Sequence, residues 1–178
     1  MNMNKSLSII FSVLLLILNL NYMYSSTNEF QLYLKEANMT FISNTNYVEV
    51  PVVENEDILY QYAIKNYSKD VEIRYSIFPY SKENKAKINV NNAVYKEFFM
   101  AVALNIAGKE ENLKKVTVFK TSDVMSEFHA NWGASFIIIP ESEFSKGYSN
   151  CVMTALHRDN VAYALIIFLF NKPKDFIP

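Results

Sequence analysis

The amino-acid sequence predicts an α+β fold in which a single antiparallel β-sheet is covered by one long helix at about residues 91–107, with short helices as a further option. One strongly helical segment lies between two groups of strand-like segments. Most connections between these strand-like segments are too short for the crossovers that parallel strands need, which favours antiparallel pairing. The chain has 178 residues, of which 51% are hydrophobic and 20% charged. Residues 27–178 are therefore expected to form a single globular domain.

The first half of the domain is mostly strand-like. Residues 30–42 are compatible with either a short helix or a strand, whereas residues 46–53 and 57–66 are rich in Val, Ile and Tyr and favour strands. Residues 71–80 alternate between apolar and polar side chains, which predicts a half-buried antiparallel strand. Residues 66–70 are typical of the turn between these last two strands. The apolar face of the alternating strand comprises Val71, Ile73, Tyr75 and Ile77.

The helix prediction depends on spacing. Apolar side chains recur at intervals of three and four residues within about 91–107, which indicates one face of a helix. Asn91 or Asn92 can cap its start, and Gly108 can end it. We expect this helix to pack on the sheet through Tyr95, Phe99, Val102 and Ile106.

The second half of the domain predicts four more strands. Residues 113–120, 132–140 and 149–159 are rich in strand-forming side chains, and residues 122–128 are compatible with one helical turn or a loop. Residues 161–170 form a continuous apolar run that is too short to cross a membrane as a helix. This run predicts a central strand that is covered on both faces.

The N-terminus predicts export. Residues 1–26 combine Lys5, an apolar stretch and two small residues, Ser25 and Ser26, which is the layout of a secretory signal peptide. The expected destination is a periplasm or the extracellular space. The alternative is that residues 7–24 are retained as a membrane anchor, and the membrane is a partner only in that case.

Composition argues against several classes of function. The formal net charge is −1, and it becomes −2 when Lys5 is removed, so no basic stripe is left to bind nucleic acid. The single cysteine, Cys151, cannot form an internal disulfide and is expected to be buried and inert. With three glycines, the chain lacks the phosphate-binding and nucleophile-elbow motifs, and no cofactor is expected.

The segment SEFHANWGASFIIIP, residues 126–140, collects rare residue types. If its strand forms a hairpin with residues 149–159, Cys151 lies opposite Ile139, and His129 comes close to the predicted HRDN turn at residues 157–160. Two hypotheses follow for this end of the sheet. In the first, Trp132, His129 and His157 line a ligand cleft. In the second, a metal ion is bound by His129, His157 and Asp159.

A purely structural interpretation of the same segment stays open. Trp132 can close one end of the core, and Gly133 is typical of a bulge or of a close approach between backbones.

The C-terminal part, NWGASFIIIPESEFSKGYSNCVMTALHRDNVAYALIIFLF, resembles exported bacterial proteins of unknown function, which share a Trp-Gly-Ala strand, an ESEF-KGY segment and an H-DNV hairpin. The succession of strands, helix and strands is loosely similar to the PsbP-like fold. Neither resemblance implies an activity. We therefore expect a non-enzymatic binding or accessory protein whose partner is an unknown protein or small-molecule ligand. The alternative is a metal-dependent or hydrolytic enzyme that uses His129 and His157.

Overall fold

The computed structural model describes residues 28–42, 45–80 and 94–173. The predicted signal peptide 1–26, the alternative anchor 7–24 and the helix caps Asn91 and Asn92 lie outside the described residues. The helices are α1 (28–36), α2 (Val94–Ala107), α3 (Thr121–Phe128) and α4 (Ser142–Ser145). The strands are β1 (Val48–Glu49), β2 (Tyr62–Asn66), β3 (Val71–Pro79), β4 (Leu113–Val118), β5 (Trp132–Ile138), β6 (Asn150–Arg158) and β7 (Ala162–Phe170).

The described strands form one sheet of seven, in the order β1-β2-β3-β7-β6-β5-β4, and each neighbouring pair is antiparallel. The α+β fold with an antiparallel sheet is therefore confirmed. The strand β7 occupies the middle of the sheet, as its unbroken apolar run predicts.

The hairpin between β2 and β3 has the predicted turn. The side-chain Oδ1 of Asn66 accepts hydrogen bonds from the backbone N–H groups of Ser68 and Lys69, both at 3.1 Å. Asp70 then takes a left-handed conformation with φ of 50°, which Asp tolerates better than most residues. The turn thereby sets the pairing of Asn66 with Val71.

The strand β3 is buried on both faces, whereas the alternation predicted a strand with one polar, solvated face. Arg74 is only 2% exposed and Ser76 is fully buried. The Arg74 guanidinium lies between the rings of Tyr60 and Phe144, donates to the Phe144 carbonyl at 2.8 Å and pairs with Glu72 at 2.7 Å. Burial is tolerated here because the charge has both a counter-ion and hydrogen-bond acceptors.

The helix α2 packs against one face of the sheet over β4, β5 and β6. Its inward residues are those expected from the spacing: Tyr95, Phe99, Val102 and Ile106 are buried. Gly108 follows with φ of 64°, and its N–H bonds to the Leu104 carbonyl at 3.0 Å. This is the left-handed helix end that glycine favours.

The opposite face of the sheet carries α1. The segment 30–42 thus begins as a helix, and Phe30 and Leu34 pack against Ile77 and Ala162. Helices therefore contact both faces of the sheet, whereas the sequence predicted one long covering helix with short helices as a further option.

The β5–β6 hairpin differs from the predicted register by one residue. Cys151 lies opposite Ile138, and Trp132 lies opposite His157. The connection contains α4, which the sequence analysis did not predict. The next turn also lies one residue later than HRDN, because β6 continues through Arg158 and the Val161 N–H bonds to the Arg158 carbonyl at 3.0 Å.

Candidate functional site

A surface groove lies on the sheet face that carries α1. It encloses about 510 Å³ between the chain that follows α1 and the C-terminal end of α3. Most of its lining is apolar, with a few polar groups at the edge. Ligand-binding clefts in proteins commonly have this size and composition.

The floor of the groove is formed by β6 and β7. Leu156, Ala164 and Ile166 line it, and the antiparallel register places all three side chains on the same face, since Leu156 pairs with Ala164 and Thr154 with Ile166. Ala164 is the smallest of the three, so this part of the floor lies low between its bulkier neighbours.

The C-terminal ends of two helices form the walls of the groove. Just after each helix, one residue has a left-handed backbone conformation. After α1, Asn38 has φ of 51°, and after α3, His129 has φ of 50°. The Met39 N–H bonds to the Leu34 carbonyl at 2.8 Å, and the His129 N–H bonds to the Val124 carbonyl. Both ends therefore have the hydrogen bond that turns the chain away from the helix axis, and the residues that follow become the rim of the groove.

Three of the described lining residues have acidic or basic side chains: Glu127, His129 and Arg158. Glu127 and His129 are exposed, whereas Arg158 is half-buried. Within the described ranges the Arg158 guanidinium has neither an ion pair nor a hydrogen bond to another residue. It is the most buried charged group among these three, and its N–H groups can donate hydrogen bonds to a ligand.

The other two predicted ligand residues lie on the opposite face of the sheet. His157 is 3% exposed, and its ring stacks on that of Tyr95 with centroids 4.0 Å apart. Trp132 stacks nearly parallel on Phe99 with centroids 5.6 Å apart. These rings close one end of the core under α2, in agreement with the structural interpretation of Trp132.

His157 is held by one neighbour. Its Nε2 lies 2.9 Å from Oδ1 of Asp159, and its buried Nδ1 has no hydrogen-bond partner among the residues that the structure describes. Burial lowers the pKa of His157, although the nearby Asp159 carboxylate acts in the opposite direction. A neutral ring that donates from Nε2 fits this arrangement, because a second proton on Nδ1 would find no acceptor.

The structure thus joins His157 to Asp159 and places His129 elsewhere. His129 lines the groove on the α1 face, and His157 points to the α2 face. Within 28–42, 45–80 and 94–173 no group of three or more His, Cys, Asp or Glu side chains could hold a metal ion. The metal role of His129, His157 and Asp159 stays a prediction.

Cys151 and Gly133 have structural positions. Cys151 is fully buried, and burial raises the pKa of its thiol to about 12, so the reactive thiolate is strongly disfavoured. A Cβ atom on Gly133 would lie 3.0 Å from side-chain atoms of both Leu156 and Phe119. Side chains therefore approach Gly133 closely, whereas the sequence predicted a bulge or a close approach between backbones, and the register shift between β4 and β5 falls between Leu113 and Lys115.

Sequence reasoning found His129 but missed the groove that surrounds it. The missed residues include Arg158, Ala162 and Ala164. One signal was available: Ala162 and Ala164 are small residues in a strand that otherwise carries bulky side chains.

No family model, curated protein or solved structure matches this chain. Among the helices of the described part, none has both the length and the apolar character that crossing a membrane requires.

Proposed function

We propose that this chain is an exported, non-enzymatic domain that binds a small, largely apolar molecule in the groove between the ends of α1 and α3. One observation carries the proposal: a cavity of about 510 Å³ with an apolar floor and a few polar side chains in its lining. Such a composition suits a molecule that is mostly apolar and is oriented by a few polar contacts.

The two faces of the sheet have different tasks in this proposal. The helix α2 is the one long helix that covers the core face, and the α1 face is left partly open for the ligand. Binding is favoured over catalysis because Glu127, His129 and Arg158 make no hydrogen bonds to one another in the described part of the chain. A nucleophile and its base need such contact.

Export belongs to the proposal through the signal peptide predicted at residues 1–26. The expected mature protein begins near Ser26 or Thr27, and an intact-mass measurement on protein from the native cell tests this. A mass that includes residues 1–26 would support the membrane-anchored alternative.

Groove binding can be tested with a neutral fluorescent probe, N-phenyl-1-naphthylamine, whose emission rises when it enters an apolar site. The substitution Ala164→Phe places a ring on the groove floor and should reduce probe binding at least about tenfold, because the apolar volume is filled. A matched control is Ala101→Phe, which makes the same change at an exposed position on α2 and should leave probe binding unchanged.

Equal probe binding by wild type and Ala164→Phe, with both proteins folded by circular dichroism, would contradict the groove as the binding site. Loss of binding in Ala101→Phe as well would point to a different surface. Native mass spectrometry of the purified mature protein then gives the mass of any molecule that accompanies it.

A further inference from the structure

We infer that the ligand of the groove is an amphiphile with one anionic group, a carboxylate on an apolar chain, and that Arg158 binds this group. The inference rests on the proposed function, since it names the chemistry of the molecule that the same groove holds. It depends on the position of Arg158, on the absence of a partner for it within the described part of the chain, and on the apolar floor beside it.

Arg158 has an unusual environment for a cation. It is the last residue of β6, it is half-buried, and its register partner is Ala162. The groove that Arg158 lines on this face is mostly apolar. A half-buried charge has lost part of its hydration, and an opposite charge in contact with it would offset the free-energy cost of that loss.

Arg74, which is buried, is an example of a guanidinium in this fold whose charge and hydrogen-bond donors are paired. Arg74 has a carboxylate, a carbonyl and two aromatic rings around it. Arg158 has no equivalent counter-ion or acceptor within the described residues. A guanidinium presents two parallel N–H groups to a carboxylate, and this bidentate pairing is both strong and directional.

The negative groups near the groove should influence the charge of a bound ligand less than Arg158 does. Glu127 is exposed to solvent, where water and salt weaken its field. The carbonyls of Leu34 and Val124 at the ends of α1 and α3 already accept hydrogen bonds. His129 at the rim adds a further potential donor. The net preference is therefore for an anion at the Arg158 end of the groove.

The groove floor indicates the chemistry of the rest of the ligand. Leu156, Ala164 and Ile166 offer only apolar contacts along the strands, so the part of the molecule beyond the anionic group should be an apolar chain. One guanidinium in the lining matches one negative charge. The combination describes a fatty-acid-like carboxylate.

The experiment compares three ligands that share one tail: dodecanoate, dodecanol and dodecylammonium. Each displaces the neutral probe from the mature protein at concentrations below micelle formation. We expect dodecanoate to bind at least about tenfold more tightly than dodecanol, and dodecylammonium to bind most weakly.

Three variants test which side chain causes the preference for the anion. Arg158→Gln should remove the advantage of dodecanoate over dodecanol, whereas Arg158→Lys should keep part of it. Glu127→Gln should strengthen dodecanoate binding by a smaller factor, since it removes the one acidic side chain among the described lining residues. Thermal unfolding of each variant checks that the fold is kept.

The outcomes separate the inference from the proposed function. Suppose that the three ligands bind with equal affinity and that Arg158→Gln changes none of these affinities. The groove then binds apolar molecules, and the inference of an anionic ligand is wrong. If dodecylammonium binds most tightly, Glu127 dominates and the inference is overturned. If neither the probe nor any dodecyl compound binds, both the inference and the proposed function fail.

Discussion

The two faces of the sheet differ in how completely they are filled. Under α2, large side chains such as Phe99, Phe136 and Met153 are fully or almost fully buried in one continuous core. On the α1 face, the buried residues form two smaller clusters, and the groove lies beside them. The comparison shows that the α2 face provides most of the packing, while the α1 face has apolar surface that can accept another molecule.

The difference is visible within the single strand β7. The residues that face α2 are Leu165, Ile167 and Leu169, all buried in the main core. The residues that face α1 near the groove are Ala162 and Ala164. Since side chains alternate along a strand, one continuous apolar segment supplies a tightly packed face and a face with free space.

The largest effect should come from truncating a core side chain on the α2 face. We expect Phe99→Ala to lower the free energy of unfolding by about 3 to 5 kcal/mol, because it leaves a cavity in a region that is closely packed. The matched change on the groove side is Phe128→Ala. Phe128 is 45% exposed, and its truncation should cost about 1 kcal/mol or less.

Urea unfolding followed by circular dichroism measures both values. Similar losses for Phe99→Ala and Phe128→Ala would remove the distinction between a filled face and an open one. A loss above about 3 kcal/mol in Phe128→Ala alone would reverse it.

A second prediction sharpens the comparison through the two histidines. Burial lowers the pKa of His157, so the unfolded chain, with a histidine pKa near 6.5, binds this proton at a higher pH than the folded chain does. The stability that depends on neutral His157 is therefore complete above about pH 6.5. It is lost as the pH falls below that value, with a slope of at most about 1.4 kcal/mol per pH unit.

The variant His157→Phe should have a smaller loss of stability between pH 7.5 and pH 5.5 than wild type, and His129→Gln is the matched substitution at an exposed histidine. Chemical unfolding at a series of pH values gives both curves. A wild-type slope in His157→Phe would show that other groups cause the pH dependence.

The local patterns in the sequence were good predictors of the individual elements. The alternation in β3, the helical spacing from Tyr95 to Ile106 and the apolar run of β7 depend on neighbouring residues alone, and the structure has a strand, a helix and a strand at these positions. Gly108 ends its helix because a left-handed residue is needed there. Such features are readable because the physical cause lies within a few residues.

The features that were missed depend on distant parts of the chain. The polar face of β3 is buried because Tyr60 and Phe144 enclose Arg74, and no local pattern connects these three residues. The β5–β6 register shifted by one residue, since α4 occupies the connection. The groove needs the ends of α1 and α3 to lie over the same part of the sheet, so only His129 was identified from the sequence.

The smallest effect we predict concerns the two left-handed helix ends at the groove. Non-glycine residues lose stability in this conformation, and Asn tolerates it better than His. Replacing His129 with glycine should therefore raise the free energy of unfolding by about 0.5 to 1 kcal/mol, while Asn38→Gly should raise it by less. If His129 contributes a donor to the ligand, His129→Gly should also weaken dodecanoate binding, although the protein is more stable. Unfolding and displacement measurements on the same two variants give both values. If His129→Gly gains stability and its affinity for dodecanoate is unchanged, His129 serves only to end its helix. Arg158 would then be the polar contact that the groove offers to the ligand.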